Sequence, residues 1–454
     1  MIDKNKSYKC KITDLTINGD GVGKVDNYPL FIKGAIPGDE IIAVPTKLNK
    51  TYGFARIKKL AASSPYRRKS VCNSFPKCGG CLLLHQNYEG QLSFKSDLVL
   101  SNIKKISDYA PESFDYEGII PCENEYYYRN KAQFPVRNVN GKAVCGFYEQ
   151  RSHSVIDCEY CHIQNKCINK AVEAVMNYIN ENNIPPYDEI SGKGIVRHIY
   201  VRYSEENTSL MVVVVTNTNV KLRNTDFLVK SLLPLGLKSL VQNINTKKTN
   251  VVLGDKNITI FGDDHIYMQT DDLKFKVSPH SFFQVNTAQM KKLYSKAIEY
   301  ASLTGNETVF DLYCGVGSIS LFMAKKAKNV IGVEIVPPAI ENAKENAKIN
   351  GIDNASFYCG DCTEVVDKLI ADGKTADVVI VDPPRKGCDE KLLSLINKIS
   401  PQKLVYVSCN SATLARDLCV LKEYGYTLKK ACAVDLFPQS THVETVVLLQ
   451  RQNT

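Results

Sequence analysis

Hydrophobic and polar positions change rhythm along this chain, and each change marks a different kind of element. Residues 8–60 alternate in short runs such as Pro29-Leu-Phe-Ile and Glu40-Ile-Ile-Ala-Val, broken by Asn18-Gly-Asp-Gly-Val-Gly, Asp26-Asn-Tyr-Pro and Ile36-Pro-Gly-Asp. Period-two alternation between turn signals predicts about five short strands, closed as a small OB-type barrel, an architecture often used on nucleic acids. Residues 91–107 follow a helical period, with Leu92, Val99, Leu100 and Ile103 on one side. From 116 to about 265 the pattern is mixed. Strand-like runs (Ile199-Tyr-Val-Arg, Ser209-Leu-Met-Val-Val-Val-Val) alternate there with a helix predicted over 167–182. From about 290 the order becomes strand, glycine turn, helix, strand, through Thr308-Val-Phe-Asp, Asn329-Val-Ile-Gly-Val-Glu, Ala355-Ser-Phe-Tyr, Asp377-Val-Val-Ile-Val and Lys403-Leu-Val-Tyr-Val, ending in Val443 to Leu449. That order predicts an α/β fold with a doubly wound, Rossmann-like sheet. Three domains are expected: a barrel over 1–62, a mixed α+β centre over 63–270, and the sheet over 271–454. The helical segment at about 93–122 is expected to pack on the last of these.

Composition adds little, and charge somewhat more. With 44% hydrophobic and 23% charged residues, the 454-residue chain has ordinary globular composition. No run approaches eighteen apolar residues, and Met-Ile-Asp-Lys-Asn-Lys is no signal-peptide core, so a cytoplasmic protein with no membrane partner is expected. The net charge of +9 is uneven: residues 1–70 carry fourteen Lys and Arg against six acids. Such a module suits a polyanion, although a solvated basic surface accounts for the charge equally well. Sixteen cysteines in a chain of this kind are not a secreted disulfide framework.

Chemistry concentrates at the ends of the predicted strands. Asp311-Leu-Tyr-Cys-Gly-Val-Gly317 follows a strand and opens a helix, so Gly315 and Gly317 let the backbone approach a ligand closely. Glu334 ends the next strand, where a carboxylate can accept both hydroxyls of a ribose. Asp361 ends the strand after that, placed to meet an adenine edge. Ser320, where dinucleotide sites carry a third glycine, argues against NAD. Gly-x-Gly, then Glu, then Asp on successive strand ends resembles a class I S-adenosylmethionine-dependent methyltransferase. Cys409, at the end of Lys403-Leu-Val-Tyr-Val, can meet the Asp382-Pro-Pro-Arg-Lys-Gly loop and Glu444 at one sheet edge. A thiol and a carboxylate there suit a nucleophile and a proton acceptor.

Asp382-Pro-Pro-Arg-Lys-Gly, Leu404 to Thr413 and Val434-Asp-Leu-Phe-Pro-Gln-Ser-Thr-His-Val-Glu444 closely resemble the signature regions of the RNA (uracil-5-)-methyltransferase family. So does Ser281-Phe-Phe-Gln-Val-Asn286, and residues 8–60 resemble the TRAM domain that many members carry. Ser411 departs from the proline many members have there. The resemblance implies that Cys409 adds to uracil C6 and that Glu444 removes the C5 proton. It also implies that Gln284, Tyr313, Glu334 and Asp382 line the methyl-donor and target-base pocket, while Phe282 and Phe283 are read as core. RNA cytosine-5 methyltransferases typically carry Pro-Cys where this chain has Pro384-Arg385, which favours uracil.

Cys72, Cys78 and Cys81 lie within ten residues around Gly79-Gly80, and Asp157-Cys-Glu-Tyr-Cys-His offers a fourth thiol. Four thiolates suit a [4Fe–4S] cluster or a structural zinc. The resemblance favours the cluster, and selects Cys161 over Cys158. It further implies a monomer acting on 23S ribosomal RNA, with transfer RNA the alternative. Two other classes fit less well. A radical enzyme uses a tighter cysteine spacing and no such sheet, and a non-catalytic RNA-binding protein has no use for Cys409 and Glu444.

Overall fold

The computed structural model describes residues 2–150 and 152–451. The period-two pattern at the N-terminus buries one face of each strand. In β1 (Tyr8–Leu15), Cys10, Ile12 and Leu15 turn inward while Lys9 and Lys11 face solvent. With β2 (Asp20–Val25), β3 (Tyr28–Lys33), β4 (Glu40–Leu48) and β5 (Gly53–Ala62) it closes a barrel in the order β1-β2-β3-β5-β4. Leu30, Ile32, Ile41 and Ala43 fill it. Leu15 leaves this core and packs with Leu83 and Phe94 of the next segment.

Helix α1 (Tyr88–Ser107) starts at Asn87, whose side chain accepts the Gly90 N–H at 3.0 Å, a standard N-cap. Its buried face is Gln91, Phe94, Lys95, Val99 and Ile103, while Leu92 and Leu100 are only half-buried. The expected stripe was therefore rotated, because two polar residues here have buried partners. β6 (Asp115–Ile120) then joins the edge of the C-terminal sheet.

The centre is a seven-stranded sheet in the order β13-β12-β11-β10-β7-β8-β9, formed by β7 (Lys131–Val139), β8 (Lys142–Tyr148), β9 (Val155–Asp157), β10 (Val196–Ser204), β11 (Ser209–Thr216), β12 (Leu237–Ile244) and β13 (Lys256–Gly262). Helices α2 (Lys166–Glu181) and α3 (Thr225–Leu232) cover one face, onto which Leu210, Val212 and Val214 point. Met211, Val213 and Val215 point the other way, into the core of the C-terminal domain. Burial on both faces explains why β11 reads as an unbroken apolar run. The hairpin β14 (Ile266–Thr270) and β15 (Leu273–Val277) packs into that same core and crosses the boundary expected at 270.

The remaining chain alternates α4 (Thr287–Ala301), β16 (Thr308–Leu312), α5 (Ser318–Ala324), β17 (Asn329–Glu334), α6 (Pro337–Ile349), β18 (Ala355–Cys359), α7 (Cys362–Ala371), β19 (Val378–Val381), α8 (Glu390–Ile399), β20 (Lys403–Ser408), α9 (Ser411–Glu423), β21 (Tyr426–Val434) and β22 (Glu444–Arg451). The sheet order is β18-β17-β16-β19-β20-β22-β21-β6, parallel except that β22 runs against both its neighbours. Strand order reverses between β16 and β19, and a crevice beyond the strand C-termini is where such sheets bind ligands. Among the described residues, no helix is long and apolar enough to cross a membrane.

Candidate active site

Strand register brings the two chemical side chains together. β20 and β22 are antiparallel, with Ser408 paired to Thr445, so Cys409 follows the end of β20 at the same sheet edge where Glu444 begins β22, and the Glu444 carboxylate acts on the thiol. Cys409 is half-buried and Glu444 is buried. Asn410 caps α9, its side-chain oxygen accepting the Ala412 N–H at 3.1 Å. Its amide donates to the Arg385 carbonyl at 3.2 Å, as does the Thr413 hydroxyl. Arg416 donates to the carbonyls of Lys386 and Cys388, and Asp417 accepts the Cys388 N–H at 2.9 Å. Gly387 has φ +79°, which favours glycine, and a Cβ there would lie 2.6 Å from the ends of the Arg416 and Asp417 side chains. The Asp382-Pro-Pro-Arg-Lys-Gly ledge is thus bonded to the helix that carries the thiol loop, and Ser411 in place of proline disturbs none of these bonds.

Acid crowding sets the electrostatics. Burial pushes Glu444 up to about 8, with the Asp382 carboxylate adding to the rise and the Arg385 guanidinium opposing it. Burial likewise lifts Asp382 to about 7, helped by Asp311. Cys409 is raised to about 11 by burial, then by Glu444 and Asp382, against Arg385. The Arg385 side chain also meets His442 Nε2 at 3.3 Å. Tyr294 on α4 is buried among Asp382, Asp311 and Glu444. Nothing in the hydrophobic pattern distinguishes it from an ordinary core tyrosine.

Around the glycine turn, the Gly315 N–H donates to Glu334 Oε2 at 3.2 Å, and the Val336 N–H to Glu334 Oε1 at 3.0 Å. Gly317 has φ +79° and packs against Phe357 and Ala343, which a Cβ would meet at 3.1–3.2 Å. Tyr313 also adopts a positive φ, +71°, and its N–H bonds to the Val333 carbonyl. Asp361 is exposed and caps α7 through the Thr363 N–H at 2.9 Å, so helix capping accounts for it as well as an adenine contact does. Asp311, at the head of the turn, is a residue that motif spacing does not mark. It is fully buried, accepts the Ser320 hydroxyl through Oδ2, and leaves Oδ1 with no partner. An orphaned carboxylate oxygen below a glycine turn is an acceptor suited to an ammonium group, such as that of S-adenosylmethionine. Gln284 is buried, and its carbonyl accepts the Asn130 amide at 2.9 Å. Phe283 is core at 1% exposure, but Phe282 is 64% exposed, so only one of the pair reads correctly as core.

A cavity of about 470 Å³ is lined by Cys72, Cys78, Cys81, Cys158 and Cys161, and extends to Arg385 and His442. The Gly80 N–H points at Cys78 Sγ, 3.4 Å away. Cys158 and Cys161 act directly on each other, and the Ile163 and Gln164 N–H groups and Arg129 favour the charged form of Cys161. Among the described residues, no group of three or more His, Cys, Asp or Glu side chains has the geometry of a metal-ion site. That removes geometric support for a bound zinc and gives none for a metal centre as such. What remains is a thiol-lined cavity.

Comparison with known proteins decides the family. Residues 87–452 match the model of the tRNA (Uracil-5-)-methyltransferase family, and residues 4–58 match the TRAM domain. The chain belongs to that family. An uncharacterized RNA methyltransferase of Listeria innocua is 47% identical over 99% of this chain and 98% of its own. One of Clostridium acetobutylicum is 45% identical over the same shares. The solved Pyrococcus abyssi tRNA (uracil-54, C5)-methyltransferase, in complex with S-adenosyl-L-homocysteine, matches 97% of this chain and 100% of its own, with TM-score 0.78 and 29% identity. The protein is an RNA methyltransferase with an N-terminal TRAM barrel and a class I methyltransferase sheet.

Proposed function

We propose that this enzyme transfers the methyl group of S-adenosylmethionine to C5 of a uridine in 23S ribosomal RNA, through a covalent bond between Cys409 and C6. The observation that carries the reading is the convergence of Cys409 and Glu444 at one sheet edge, with Asp382 and Arg385 acting on both. Uracil C5 is a weak nucleophile. Thiolate addition at C6 moves the ring electrons into an enolate, and C5 then attacks the methyl carbon in line, releasing S-adenosylhomocysteine. Glu444 takes the C5 proton, the C5–C6 double bond re-forms, and the thiolate of Cys409 departs. Arg385 lies where a cation favours the thiolate, against the two acids. Gly315, Gly317, Glu334, Asp361 and Tyr313 form the donor side, with Asp311 supplying the free acceptor. Gln284 faces the base. A base buried in RNA must be flipped out to reach such a site.

Cys72, Cys78, Cys81 and Cys161 would hold a [4Fe–4S] cluster. The cluster would supply a rigid brace to the central domain and no reaction step. The protein is expected to act as a cytoplasmic monomer. Ribosomal RNA is favoured by the family resemblance, in which TRAM and cluster cysteines mark the ribosomal branch. One observation favours the second reading, transfer RNA. The Pyrococcus tRNA enzyme matches 97% of this chain, so its likeness covers the barrel and cysteine regions too. RNA containing 5-fluorouridine tests the chemistry, because fluorine at C5 cannot leave as a proton. A methylated protein–RNA adduct stable to denaturation, absent in Cys409→Ala, is expected. Full turnover without an adduct would rule the mechanism out.

A further inference from the structure

β7 and β10 pair so that Lys131 lies directly opposite Arg202. Like charges facing each other across a ladder are destabilising, and an acid between them is the usual remedy. None is there. No carboxylate acts on Lys131, and Arg202 Nη1 is buried without a hydrogen-bond partner. Arg202 is fully buried, its Nε and Nη2 donating to the Tyr200 hydroxyl and its Nη2 also to the Ser281 carbonyl at 2.9 Å. Lys131 lines the same cavity as Arg385 and His442. Desolvation and the charges of Arg202 and Arg129 bring Lys131 down to about 8, with no acid opposing them. Arg129 is also a neighbour of Cys81 and Cys161, and its charge acts on both thiols.

We infer that Lys131, backed by Arg202, is the seat of a backbone phosphate of the RNA strand that delivers the target nucleotide. A phosphodiester there is an anion in contact with the cavity that reaches the Cys409 side through Arg385. It would neutralise a like-charge pair that no carboxylate offsets, and so hold the strand while one base leaves its stack. This rests on the RNA methyltransferase reading, but its test involves binding alone. The loop Ser281–Asn286, which carries Gln284, is fixed from the same strands: Arg202 holds the Ser281 carbonyl and Asn130 the Gln284 carbonyl. Phosphate and base contacts therefore share one rigid support.

The protein as purified, with S-adenosylhomocysteine present, is titrated with a uridine oligomer of about 12 nucleotides, within the usual single-strand site size. Affinity is measured at several salt concentrations for wild type, Lys131→Gln and Lys131→Arg. One lost phosphate contact on a single strand should reduce the slope of log K against log salt by about 0.7, and weaken binding most at low salt. Lys131→Arg should restore the slope, and visible absorbance should match wild type in both variants. An unchanged slope in Lys131→Gln overturns the inference. So does a loss of visible absorbance in that variant, which would assign the charge to the thiol-lined centre, or wild-type binding that does not depend on salt. Methylation of another base atom would defeat the uracil reading without altering this result.

Discussion

With Glu444 as the proposed base, the crowded acids should make the last step of the reaction strongly dependent on pH. Glu444 is pushed up to about 8, first by burial and then by Asp382. A base must lose its own proton before accepting another, so its active form is gained as pH rises through that value. At pH 7 about a tenth of the molecules carry Glu444 as carboxylate, and at pH 8 about half. Release of the methylated adduct should therefore quicken about fivefold from pH 7 to 8, and about twofold more at higher pH. The assay forms the adduct in a single turnover at low pH, jumps the pH, and follows the protein–RNA band on a denaturing gel. Asp382→Asn removes a like charge and should move the midpoint down, while Arg385→Gln removes a cation and should move it up. A flat profile between pH 6 and 9, or a midpoint that neither variant moves, would refute the assignment of Glu444 as base.

Other outcomes can be checked separately. Arg385→Gln should slow adduct formation by about an order of magnitude, as expected when a thiol pKa rises by about one unit, and single-turnover trapping reads this directly. Glu444→Gln should still form adduct but release it about 10²–10⁴-fold more slowly. Protein purified without oxygen should be brown, and Cys161→Ser should lose iron while Cys158→Ser keeps it; iron analysis giving the reverse would transfer the ligand role to Cys158. Gly317→Ala places a Cβ against Phe357 and Ala343 at a positive φ, and should weaken S-adenosylmethionine binding by at least about tenfold, or about 1.4 kcal/mol, in calorimetry.

Elements whose residues obey one period throughout were readable from the sequence: the barrel strands, and β16, β17, β18 and β20 with their glycine turn. What was hidden depends on partners far away in the chain. Lys95 looks like a solvent-facing residue of α1, yet it is fully buried and pairs with Asp435 at 2.6 Å, which turns the whole helix. β6 joins the C-terminal sheet beside β21, across more than three hundred residues, and no local pattern announces a strand that completes a distant edge. At the site, Cys409 and Glu444 were legible because motif spacing marks them. Asp311, Tyr294 and the Lys131–Arg202 pair were not, since their significance lies in register and in missing partners. Phe282 and Phe283 are alike in sequence, and only packing separates the exposed ring from the core one.

The most direct measurement of the central claim identifies the methylated atom. Purified protein is incubated with unmodified 23S ribosomal RNA and methyl-labelled S-adenosylmethionine, and the digested nucleosides are resolved by mass spectrometry. Label is expected in 5-methyluridine, with none from Cys409→Ala. Label in 5-methylcytidine or on a ribose, or an undiminished yield of 5-methyluridine from Cys409→Ala, would contradict the account.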